Sequence, residues 1–79
     1  MIFLIEYNRR LGKLITLERF DDDAREEAEK IRLDIELALK RQGIDHEVVL
    51  LQAPSEDALR ATHRRYFETP AKLIEKRTA

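Results

Sequence analysis

Apolar residues in this chain follow two periods, and the switches between them mark its elements. Residues 2–7 (I-F-L-I-E-Y) form a dense apolar and aromatic run of strand length. Residues 13–20 resume with alternation. The Asn8-Arg9-Arg10-Leu11-Gly12 stretch between them holds an Asn and a Gly, residues that tolerate positive φ, so a β-hairpin is predicted. Pairing Tyr7 with Lys13 puts Phe3, Ile5, Ile15 and Leu17 on one face. Ile2, Leu4, Glu6, Leu14 and Thr16 take the other.

From Asp21 the period becomes helical. Asp21-Asp22-Asp23 supplies an N-cap and acids beside the positive end of the dipole. Ala24, Ala28, Ile31, Ile35, Ala38 and Leu39 recur as a buried stripe, and Gly43 is a typical residue just past a helix end. A helix over residues 21–42 follows. Leu33 and Leu37 lie nearly opposite its stripe as an i,i+4 ridge. Residues 44–52 predict a third strand, whose Val48-Val49-Leu50-Leu51 run suggests burial on both faces. Pro54 stops it, and Ser55 caps a second helix, with Glu56 and Asp57 in its first turn, running to residue 67 or 68. Thr69-Pro70 opens a short C-terminal helix or frayed tail over residues 69–79.

The element order is ββαβα, within one domain over residues 1–68. A strand–helix–strand crossover returns parallel to the strand it left. Residues 2–5 are the most apolar strand and therefore central. The prediction is an α+β two-layer sandwich: a three-stranded mixed sheet of order 2-1-3 with both helices on one face. The other face would then present Ile2, Leu4 and Leu14, which need a cover, either Leu73-Ile74 or a second subunit.

Composition narrows the function classes. At 79 residues the core is small, and the absence of cysteine removes disulfides and thiol chemistry. Two histidines without metal-ligand spacing predict no metal, and no cofactor motif occurs. The opening apolar run ends at Glu6, too short for a signal segment or a membrane span, so a cytoplasmic chain with no membrane association is expected.

Net charge is −1, but it is unevenly spread. Residues 1–20 carry +2, residues 21–57 carry −7 and residues 58–79 carry +4. The topology brings the hairpin loop and both helix C-termini to one end of the molecule. That basic pole holds Arg9, Arg10, Lys13, Lys40, Arg41, Arg64 and Arg65, with His46 nearby. Bases at helix C-termini are what the macrodipole favours, so only Arg9 and Arg10 point beyond helix stability. The alternative reading is a nucleic-acid or acidic-partner module working through Arg9, Arg10, Arg64 and Arg65.

The A-T-H-R-R-Y-F-E-T-P stretch at residues 61–70 concentrates chemistry-bearing residues. Leu59, Thr62, His63, Tyr66 and Phe67 share one helical face, which makes His63 a packing residue rather than part of a charged cluster. A His46–His63 acid/base pair would need the two rings to approach. Ser55, the lone serine, is assigned to a cap, and no nucleophile motif is present. No catalytic residue is assigned. The expectation is a non-enzymatic interaction domain, a homodimer or a binder of another protein, associating through Ile2, Leu4, Leu14, Leu33 and Leu37.

Overall fold

The computed structural model describes residues 1–68, so the expected C-terminal helix or tail and the Leu73-Ile74 cover lie outside the described residues. Strands β1 (Ile2–Asn8) and β2 (Lys13–Phe20) form the hairpin. A 3₁₀ turn over Asp22–Ala24 leads into α1 (Arg25–Gln42). Strand β3 (Glu47–Gln52), helix α2 (Glu56–Thr62) and a 3₁₀ turn over Arg64–Tyr66 complete the α+β fold. The sheet order is β2-β1-β3, as the apolar density of β1 implies. The sheet is antiparallel rather than mixed. β3 does run in the direction of β2, but β1 lies between them and opposes both. No helix among the described residues is long and apolar enough to cross a membrane.

The expectation of both helices on one face is corrected. Residues paired across strands share a face, so Phe3, Ile5 and Tyr7 stand with Leu51, Val49 and Glu47. This face packs with Ala53, with Leu59 of α2 and with Tyr66. Ile2 and Leu4 point the other way, yet they are 1% and 0% exposed and lie outside that cluster. Their cover is α1, which packs on β1 and β3 and buries Ala28 completely. Arg25 of α1 reaches Gln52, the partner of Ile2, at 3.2 Å. One helix therefore lies on each side. The physical reason is the I-F-L-I run itself, whose alternate side chains load both faces with apolar surface that water must not reach.

That layering removes the predicted outer sheet surface. Ile2 and Leu4 are core residues, and Leu14 is half-buried against the Phe3 cluster. Leu14 reaches that cluster through a β-bulge: Glu6 pairs with Thr16 but Tyr7 pairs with Leu14, leaving Ile15 as the extra residue. The bulge turns Leu14 inward and leaves Ile15 44% exposed, the reverse of the alternation reading. Asn8 closes the turn, its Oδ1 accepting from the backbone of Arg10 at 3.1 Å and of Leu11 at 3.2 Å.

Helix ends follow local chemistry. Gly43 takes φ 69°, and the amides of Gly43 and Ile44 bond the carbonyls of Lys40 and Leu39, a Schellman closure. The Ser55 hydroxyl accepts from the Ala58 amide at 3.1 Å, the predicted cap. The triple aspartate makes a 3₁₀ turn without a side-chain cap, so α1 begins at Arg25 rather than Asp21. α2 stops at Thr62, five residues short of Phe67. The Thr62 hydroxyl bonds back to the Ala58 carbonyl at 2.9 Å, an alternative partner that competes with the helical ladder. His63 then leaves helical geometry, and Tyr66 swings onto the sheet.

Candidate functional site

The hairpin turn, the start of β3 and the ends of both helices meet at one end of the sheet. There the Glu47 carboxylate accepts from the Tyr66 hydroxyl at 2.6 Å and from the Arg65 guanidinium at 2.7 Å. Arg65 also donates to the Tyr66 oxygen at 2.6 Å and lies 4.1 Å over the Tyr66 ring. Tyr66 meets Tyr7 edge to face, with centroids 5.2 Å apart. Hydrogen bonds from Arg65 and then Tyr66 hold the Glu47 carboxyl below the usual carboxylate range. Burial, reinforced by the Glu47 charge, pushes the Tyr66 phenol up to about 12. Arg9 pairs with Asp45 at 2.8 Å, and Arg64 pairs with Glu68 at 2.9 Å.

These contacts change the basic pole. Arg9, Arg64 and Arg65 each face a carboxylate, so the pole is a mixed-charge network with strongly reduced pull on a phosphate. Among the described residues, the Arg10, Lys13 and Lys40 side chains take part in no ion pair, and Arg41 donates to the Leu37 carbonyl at 3.4 Å. Lys40 and Arg41 sit on the α1 side of the sheet, whereas Arg64 and Arg65 belong to the α2 side. The seven bases thus share an end of the molecule but not a face.

On the α1 side, Glu6 accepts from the Thr16 hydroxyl at 3.1 Å and contacts His46 Nδ1 at 2.7 Å. The imidazole and carboxylate are 16% and 12% exposed, a partly buried pair. His63 lies on the α2 side, its ring 6.4 Å from that of Tyr66. The sheet separates the two histidines, so no imidazole pair exists. Among the described residues no group of three His, Cys, Asp or Glu side chains is placed to hold a metal ion.

Sequence reasoning missed Glu6, Asp45 and Glu47, the acceptors that organise this end. A signal was present for two of them. Glu6 and Glu47 are acids at the ends of strands that are otherwise apolar, and a half-buried carboxylate needs a partner. For Glu6 the partner is His46, just before β3, and for Glu47 it depended on where the chain after α2 turned.

The outer face of α1 is the other feature. Leu33 and Leu37 are 50% and 46% exposed one turn apart, on a helix whose opposite side already packs on the sheet. A shallow, open apolar depression of about 520 Å³ is lined, among the described residues, by Leu37, Lys40 and Arg41. Of the association surfaces expected from sequence, this ridge alone combines exposure with apolar character. Comparison of the chain with family models, with curated proteins and with solved structures finds no match.

Proposed function

We propose that this chain is a small, non-enzymatic protein-interaction domain that self-associates through the outer face of α1. The observation that carries the reading is the Leu33–Leu37 ridge, half exposed beside an apolar depression. Covering two leucines and their surround removes a few hundred Å² of apolar surface from water, at roughly 25 cal/mol per Å². Such a contact lies below about 1,200 Å² and forms a weak, reversible dimer, not an obligate one. Sedimentation velocity over a concentration series from micromolar to millimolar tests it. A concentration-dependent shift toward dimer mass is expected, and Leu33→Asp with Leu37→Asp abolishes the shift while leaving the far-ultraviolet circular dichroism unchanged. A wild-type chain that stays monomeric at millimolar concentration rejects the proposal.

A second reading, binding of nucleic acid or an acidic partner, is favoured by the side chains of Arg10, Lys13 and Lys40, which form no ion pair among the described residues. Its signature is affinity that falls steeply with salt and is lost in Arg10→Ala with Lys13→Ala. The carboxylates opposite Arg9, Arg64 and Arg65 weaken this reading relative to the first.

A further inference from the structure

The charges that flank the ridge select a partner and an orientation. One and two turns before Leu33, the same outward face carries Glu29 and Glu26; one turn after Leu37 it carries Lys40 and Arg41. All four are exposed, as is Lys30 between the acids and the leucines. Glu29 has only a long 3.6 Å contact to Arg25, and Glu26 and Lys40 form no ion pair among the described residues. The face therefore reads net acidic (Glu26 and Glu29 against Lys30), apolar, then basic from its N-terminal to its C-terminal end. A surface with that order is complementary to its own copy turned end for end.

We infer that the partner of α1 is α1 of a second copy of this chain, packed antiparallel about a two-fold axis near the Leu33–Leu37 midpoint. This inference rests on the self-association reading above and specifies its geometry. Leu33 of each copy seats in the depression bounded by Leu37, Lys40 and Arg41 of the other. Glu29 then faces the partner's Arg41, with Glu26 one turn further out within reach of the partner's Lys40 and Arg41, which outweighs the Lys30–Lys40 approach, and the pairing repeats through the two-fold axis. A parallel arrangement sets Lys40 and Arg41 against their own copies and the glutamates against theirs. Antiparallel packing also opposes the two helix dipoles, whereas parallel packing aligns them. Dipoles alone favour acids early and bases late in any helix. They do not place two exposed leucines on the same face, between the charges.

Two experiments on the full chain test this. The sequence contains no cysteine, so single introduced thiols report proximity without background. Glu29→Cys chains mixed with Arg41→Cys chains should form a disulfide with one another at least tenfold faster than either variant does with itself. Faster self-crosslinking of either variant overturns the antiparallel geometry. Charge reversal supplies the second readout: Glu26→Lys with Glu29→Lys, and Lys40→Glu with Arg41→Glu, should each weaken self-association more than about tenfold at low salt. An equimolar mixture of the two reversed chains should restore it as a heterodimer. A dimer indifferent to both reversals overturns this inference and leaves self-association standing. A wild-type monomer at millimolar concentration overturns both.

Discussion

The Glu47 carboxylate is the smallest unit that explains how the hairpin end holds together. It is 19% exposed and takes two strong hydrogen bonds, from a phenol and a guanidinium that arrive from the far end of the described chain. Removing one donor in Tyr66→Phe should cost about 1–2 kcal/mol, read as a lower denaturant midpoint at unchanged slope. The pH dependence has a definite sign. The folded state holds the Tyr66 proton up to about 12, while an unfolded tyrosine releases it near pH 10. Stability from this group is complete below pH 10 and declines as pH rises from there through about 12. Denaturation curves at pH 9 and pH 11 should show that decline in the wild type and a smaller one in Tyr66→Phe. Glu47 acts at the opposite limb. Its carboxyl lies below its ordinary value, so its contribution is present above that value and is lost as pH falls through the folded one.

Elements here are set by a few local devices, and each can be tested separately. Gly43 closes α1 at φ 69°, and a β-carbon added there meets nothing within 4 Å. Gly43→Ala should therefore cost about 1 kcal/mol through backbone conformation alone, and Gly43→Asn less, because asparagine tolerates this region. Ser55→Ala removes the cap of a seven-residue helix and should lower stability by about 1 kcal/mol. Thermal or denaturant unfolding checks both. The Ser55 cap, the central position of β1 and the Gly43 terminator were legible in the sequence because each depends on neighbours within a few residues, whereas the aspartate cap expected for α1 gave way to a 3₁₀ turn. The early end of α2 was not legible. Leu59, Thr62, His63 and Tyr66 fit a helical stripe, but the Thr62 back-bond and the Tyr66–Glu47 contact, 19 residues apart, outcompete that continuation.

At the scale of the molecule, leucines that looked alike in the sequence separate into two kinds. Leu4 is wholly buried beneath α1, while Leu33 on the same helix layer faces outward at 50% exposure. Leu4→Ala should destabilise the fold by about 2–5 kcal/mol and leave the association behaviour of the folded fraction unchanged. Leu33→Ala should do the reverse, with stability within about 0.5 kcal/mol of wild type and a weaker dimer. Calorimetry paired with sedimentation separates the two effects. Placing one helix on each side also redistributes the basic pole, putting Lys40 and Arg41 on the α1 side and Arg64 and Arg65 on the α2 side.

The amino-acid sequence by itself determined the strands, the existence of both helices, the Gly43 and Ser55 ends and the order 2-1-3. Those follow from side-chain period, capping chemistry and the apolar density of one strand, all short-range properties. Tertiary structure alone decided which face each helix covers, because burial is settled over the whole sheet and both sides of β1 needed closing. It likewise decided that Leu14 turns inward, since one bulged residue reverses the alternation that follows. It also chose Arg65 as the base for Glu47, because an ion pair depends on where two distant segments meet, and spacing along the chain carries no record of that.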